Sequence, residues 1–232
     1  MSADNRTGKV WFAFPSANVD AIRETADLWT DHGCHVVVLS EADIEDQIRV
    51  NIDRFVKVDQ YSGWPTSHNI MMRIIRETCP DMRVVIAGSD DIEPDPDLTS
   101  DVIHEDMEEH FGSDLFGVMN PTGDRFSEID LHAVCPWIGR GFIERSYQGQ
   151  GPFFEQYYHL YSDTELQQVA EQHGVFWQRR DVRQLHKHHC REGYVDRLDS
   201  ARRLKIQKRL NDDKRIFEHR QKNGFPGSGV IE

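Results

Sequence analysis

The residues with the greatest chemical potential stand together where a short apolar run ends: Asp90, Asp91 and Glu93, directly after Val84-Val-Ile-Ala-Gly-Ser89. Carboxylates this close repel one another unless a cation sits among them. Hard oxygen donors suit Mg²⁺ or Mn²⁺, and either ion would in turn hold a diphosphate. A second set of ligand types, His186-Lys-His-His-Cys190, lies near the other end of the chain. Its imidazoles could supply a nitrogen ligand, form a transition-metal site with Cys190, or make a solvated basic turn. The third candidate is Asp163, at the start of a helical pattern, where the helix dipole would keep a carboxylate ionised and able to take a proton. Each has an ordinary structural explanation beside the chemical one. Asp97 or Thr99 would cap a helix over 98–111, and Asp163 is itself a good N-cap with Glu165 in the first turn.

For these groups to meet, distant segments must reach one edge of a sheet. Val84 to Ala87 is apolar throughout, as in a strand buried on both faces, and Pro94 and Pro96 forbid its continuation. Runs at 9–14 (stopped by Pro15), 35–39 and, more weakly, 54–58 read as further strands. Between them lie helices over 18–32, capped by Ser16 or Asn18, and over 67–78, capped by Thr66 or Ser67. This alternation predicts a doubly wound, mostly parallel α/β sheet with helices on both faces. Open sheets of that kind bind ligands at the carboxyl edge. The second half is less regular. Strands are expected at 115–119, 129–134 and 175–178, a short helix over 140–146, and a firmer one over 163–173. Residues 195–222 read as a charged helical extension with Leu198, Leu204 and Leu210 as its apolar positions, and 224–232 as a loose tail.

At 232 residues the chain can bury one sizeable core. No apolar stretch approaches the length of a membrane span, the N-terminus lacks a signal-peptide pattern, and the four cysteines are scattered. The expectation is a soluble cytoplasmic protein with reduced thiols. A net charge of −13 argues against non-specific coating of nucleic acid. The stretch 201–222 is nevertheless basic, with Arg202, Arg203, Lys205, Lys208 and Arg209 among its cations. It could lie along a phosphate backbone or make internal ion pairs with Asp212, Asp213 and Glu218.

In their order, these features resemble a nucleotide-sugar glycosyltransferase of the GT-A fold, close to family 2, over roughly residues 8–190. The resemblance implies one catalytic domain over 1–190, with a nucleotide half over 8–97 and an acceptor half over 98–190, followed by an extension over 191–223. It implies that Phe14-Pro15-Ser16 touches the nucleotide, that Glu41 or Asp43 meets the base, and that the loop and helix from Ser62 to Asn69 precede the metal strand. Ser89-Asp90-Asp91-Ile92-Glu93 stands where the family has Asp-x-Asp, and Cys135-Pro-Trp137-Ile-Gly139-Arg140 resembles its acceptor-side segment. Asp163, in Tyr161-Ser-Asp-Thr-Glu165, takes the place of its catalytic base, and His186 or His188 that of a histidine completing the metal site. The chain departs in having Ser162-Asp163 for the common Glu-Asp, and Asp-Asp-x-Glu for Asp-x-Asp.

The chemistry expected is transfer of a sugar, with inversion, from a nucleoside diphosphate (a UDP-sugar in the first instance) to an acceptor hydroxyl. A divalent cation would neutralise the leaving diphosphate, and a carboxylate would deprotonate the hydroxyl. Asp91 is the first choice for ligating Mn²⁺ or Mg²⁺, with Asp90 on ribose or metal, Glu93 a further candidate, and His189 a substitute for His186 or His188. Trp64, Trp137 and Tyr61 could stack on base or sugar, and Arg140 could meet phosphate. A hydroxymethylated pyrimidine in DNA, met by the basic stretch, is one acceptor to consider. Two other classes stay open: a two-metal phosphoesterase or nucleotidyltransferase, and a non-catalytic zinc- or nucleotide-binding module.

Overall fold

The apolar runs of the first half pair as parallel strands in the order β3-β2-β1-β4: β1 (Val10–Pro15), β2 (His35–Ser40), β3 (Arg54–Lys57) and β4 (Val84–Ala87). Residues 7–124, 132–188 and 200–230 are described, from a computed structural model. Successive side chains of β1 point to opposite faces. Trp11 and Ala13 join one core with Met71, Met72 and Ile75, while Phe12 and Phe14 join the other with Ile22, Ala26 and Trp29. Helix α1 (Val19–Asp31) supplies that second face and is capped by the Asn18 side chain. A short α2 (Glu45–Ile48), which the sequence did not disclose, precedes β3.

Helix α3 (Trp64–Thr78) covers the first face and begins earlier than the Thr66 or Ser67 cap predicted. Pro65 explains the difference, because a proline in the first turn gives up no helical hydrogen bond. After β4 come β5 (Ile92–Glu93) and α4 (Ser100–Phe111), the latter capped by Thr99. The second half adds β6 (Val118–Pro121), β7 (Trp137–Gly139), α5 (Arg140–Arg145), a 3-10 turn at Ser146–Gly149, α6 (Ser162–Gln172), β8 (Phe176–Arg179), β9 (Leu185–His186) and α7 (Ser200–Lys222).

The whole is an α/β protein with a seven-stranded, mostly parallel sheet in the order β3-β2-β1-β4-β7-β6-β8. Strand β7 alone runs antiparallel to its neighbours, inserted between β4 and β6. Part of the strand expected over 129–134 lies outside the described residues, and 132–134 is not strand. No helix among the described residues is long and apolar enough to cross a membrane.

Under the carboxyl edge, His68 is completely buried between the carbonyls of Trp64, 2.9 Å from Nδ1, and Ala13, 3.1 Å from Nε2. Burial outweighs the pull of its backbone bonds and lowers its pKa from 6.5 to about 4. An unfolded chain therefore takes up a proton near pH 6.5 that the folded one refuses until about pH 4. The stability given by the neutral ring is whole above the first value and lost as pH falls to the second, about 3 kcal/mol in all. Urea denaturation between pH 7 and 4 should show this slope, and His68→Gln should flatten it. An identical slope in the variant would refute the assignment.

Candidate functional site

The acidic corner is held by β1 and by α1. After β4 the chain turns through Gly88 and Ser89, and a Cβ on Gly88 would strike the Phe12 ring at 2.3 Å. The turn can therefore take no larger residue without displacing core. Helix α1 then fixes the acids: the Thr25 hydroxyl donates to the Asp90 carbonyl at 2.9 Å and the Trp29 indole to that of Ile92 at 2.9 Å. From the end of β1, the Ser16 hydroxyl donates to the Asp90 carboxylate at 2.5 Å. Asp90 thus faces the β1 loop, where the sequence expected a nucleotide contact.

Asp91 points the other way. Its carboxylate accepts from the Ser89 hydroxyl and lies 3.3 Å from Nε2 of His186. That histidine arrives because β9 pairs antiparallel with β5, setting Ile92 opposite His186, and because the Lys187 amide donates to the Asp91 carbonyl at 2.8 Å. Burial alone would raise the Asp91 pKa. The hydrogen bond and charge of His186, with Ser89 and His188, more than offset it and hold the carboxyl below its ordinary value. The His188 ring meets that of His186 edge to face at 5.1 Å. His189 and Cys190 lie outside the described residues.

Among the described residues no group of three or more His, Cys, Asp or Glu side chains is arranged to hold a metal. The corner offers one ionised carboxylate and one imidazole. That fits an ion of the Mg²⁺ or Mn²⁺ type, which keeps waters and binds through one or two carboxylates together with substrate phosphates. Glu93, the further ligand expected, is instead ion-paired with Lys187, which also reaches Glu24 at 3.1 Å. Burial works against that ammonium, but the two carboxylates prevail and raise its pKa.

Beside His186 opens a pocket lined by Asp124, His132, Cys135 and Gln184 among others. The Asp124 carboxylate accepts from the His186 amide at 3.2 Å, and the His132 ring lies 2.7 Å from the Thr164 hydroxyl. Asp163, next to Thr164, is half-buried at the start of α6 and accepts from the Thr164 amide at 2.8 Å. It does not cap the helix, whose N-cap is Tyr161. Asp124 and His132 were missed in the sequence, although Asp124 follows β6 as Asp90 follows β4, an acid just past a strand's carboxyl end.

Elsewhere the expected binding residues have other work. Glu41 is exposed beyond β2 and accepts from the Tyr61 amide at 2.8 Å, while Asp43 pairs with Lys57. Trp64 is half-buried between His68 and Phe153. Asn69 is buried on α3 and clamps the backbone of Phe153, donating to its carbonyl at 2.8 Å. Trp137 is a core residue whose indole donates to Gln184 at 2.9 Å, so it has no face for a sugar. Gly139 and Arg140 stand at the amino edge, because β7 runs antiparallel and sets Gly139 opposite Val84. Arg140 there binds Glu144 at 2.7 Å and the Pro80 carbonyl at 2.5 Å.

Glu165, expected on the acceptor side, is 1% exposed and fully engaged. It accepts from Tyr147 at 2.6 Å, Tyr157 at 2.7 Å and the Arg220 guanidinium at 2.7 Å. Arg220 belongs to α7, whose buried stripe is Asp213, Phe217 and Arg220, while Leu204 and Leu210 are exposed. Asp213 accepts the amides of Tyr158, His159 and Leu160 at 2.9–3.0 Å. The segment after α7 is not loose: Phe225 is 1% exposed, against Phe217, and the Gln148 amide donates to the Gly229 carbonyl.

No protein-family model and no curated protein matches this sequence. Among solved structures the chain is similar to a glycosyltransferase involved in the glycosylation of the major capsid of PBCV-1. The match has a TM-score of 0.36 and 6% identity, and covers 59% of this chain and 62% of that one. It spans less than two thirds of that protein's length.

Proposed function

We propose that the protein is a metal-dependent glycosyltransferase that takes a sugar from a nucleoside diphosphate donor. The observation that carries the proposal is the meeting of Asp91 and His186, from distant parts of the chain, at the carboxyl edge of the sheet. An acid-rich strand end, with Asp90 turned to the β1 loop and Asp91 to His186, suits a ribose on one side and a diphosphate on the other. Asp91 and His186 would hold Mn²⁺ or Mg²⁺. The ion, when bound, neutralises charge on the departing diphosphate. Glu93 and Lys187, salt-bridged beside them, hold β5 and β9 in register.

Asp163 is the base in this proposal. Its neighbour Thr164 touches His132, which lines the pocket beside His186; that pocket, of about 30 Å³, has room for one hydroxyl. An acceptor attacking from the face opposite the diphosphate inverts the anomeric carbon. The acceptor is a hydroxyl-bearing molecule. For a hydroxymethylated pyrimidine in DNA, α7 offers the exposed Lys208, but Lys214 and Arg215 pair with Glu218 and Asp212 and Arg220 is buried.

Slow hydrolysis of a panel of nucleotide sugars with Mn²⁺ tests the reaction class without an acceptor. Release of free sugar from one donor supports it. Consumption of a nucleoside triphosphate or phosphodiester instead would move the chain to the phosphoesterase class. Asp163→Asn is expected to lower turnover by about 10²–10⁴-fold, the range of a lost general base, with donor affinity unchanged. Equal turnover in that variant would remove Asp163 from the chemistry.

A further inference from the structure

Away from the acidic corner, a cleft of about 300 Å³ opens between α3 and the segment 149–155. Arg73 and Arg76, one helical turn apart on α3, both line it. Among the described residues most arginines meet a carboxylate, as Arg49, Arg145, Arg179 and Arg183 do. Arg73 and Arg76 have no hydrogen bond or ion pair among the described residues. Two guanidinium groups line one cleft whose single carboxylate, Glu155, is bonded to Asn69 and pairs with neither. That surplus of positive charge is a site for an anion, and arginine forks match the oxygens of a phosphate.

The opposite wall is shaped with care. Gly151 has φ +122°, and a Cβ there would meet Asn69 at 2.7 Å. Asn69 in turn holds Phe153 by two hydrogen bonds and the Glu155 carboxylate by one of 3.1 Å. Glu155, on the rim, can accept from hydroxyls. We propose that the cleft binds a small phosphorylated polyol of sugar-phosphate size, with its phosphate on Arg73 and Arg76 and its hydroxyls toward Glu155. The volume lies at the lower end of that usual for small-molecule sites. Arg73 is about 14 Å along α3 from Trp64, at the helix end nearer the acidic corner. The inference therefore goes beyond the proposed transfer reaction and does not depend on it.

Isothermal titration with ribose 5-phosphate tests it on the full chain. The unaltered protein should bind, inorganic phosphate should compete, and ribose should bind far more weakly. Arg73→Gln with Arg76→Gln should weaken binding by at least about tenfold, since charge-assisted bonds to phosphate are among the strong ones. Both side chains are at or near the surface, and unchanged circular dichroism would certify the fold. Asp91→Asn should bind as the unaltered protein does, which keeps this result separate from the fate of the acidic corner. No binding at millimolar concentration, equal binding of ribose, or equal binding by the double variant would overturn the proposal.

Discussion

Glu165→Ala is expected to destabilise the fold by about 3–5 kcal/mol, the usual result of removing one partner from a buried ion pair. The Arg220 guanidinium would be left at 6% side-chain exposure with no counter-charge, and the hydroxyls of Tyr147 and Tyr157 would lose their acceptor. In the intact protein both phenols are held neutral. Burial first, and then the Glu165 charge, push both far above the ordinary tyrosine value. The guanidinium also lies over the Phe154 ring at 3.4 Å and donates to the Pro226 carbonyl at 3.0 Å, so the damage spreads to the segment after α7. Urea denaturation followed by circular dichroism gives the number. Glu165→Leu combined with Arg220→Met should recover much of it, because well-packed apolar replacements of a buried pair are often neutral. A loss under 1 kcal/mol in the single variant would mean that α7 is not anchored through this residue.

Asp91→Asn should weaken Mn²⁺-dependent binding of uridine diphosphate by at least about 100-fold, since changes in the surroundings of ligands alone already cost 10- to 100-fold. The amide keeps the size of the side chain but removes the charge that faces His186 at 3.3 Å. The matched control is Glu93→Gln. Its carboxylate is committed to Lys187, so it should change affinity little beyond any loosening of the β5–β9 pair. Titrations with and without Mn²⁺ distinguish the cases. Undiminished metal-dependent binding in Asp91→Asn would overturn the assignment of the corner, whatever the protein's fold.

β1, β2 and β4 were legible as continuous apolar runs, β1 closed by Pro15 and β4 by Gly88, because a strand buried on both faces needs no partner pattern to declare itself. β3, Arg54-Phe-Val-Lys57, read more weakly because only Val56 of its four residues is buried. β7 was not legible. Trp137-Ile-Gly139 is three residues long and passes directly into α5, so it reads as a lead-in to that helix. Missing it misplaced Arg140, which only the antiparallel direction sends to the far edge. The role of Glu165 was hidden for another reason: its partner lies in α7, and a first-turn glutamate looks the same whether it faces water or a guanidinium. In α7 the search for apolar spacing chose Leu204 and Leu210, whereas the helix docks through two charged residues flanking Phe217. Asp90, Asp91 and His186 were legible as residue types, and the pairing of β5 with β9 supplied the meeting that type alone could not give.

That pairing is two residues a side and stands apart from the seven-stranded sheet. Ile92 of β5 is anchored in the second core, whereas Leu185 and His186 of β9 belong to neither core, so β9 can part from β5 and the histidine withdraw while the rest of the chain stays native. On the proposed glycosyltransferase reading, catalytic competence would then be lost on warming before the spectroscopic melting transition begins, and a bound diphosphate that bridged the two short strands would carry that competence to higher temperature.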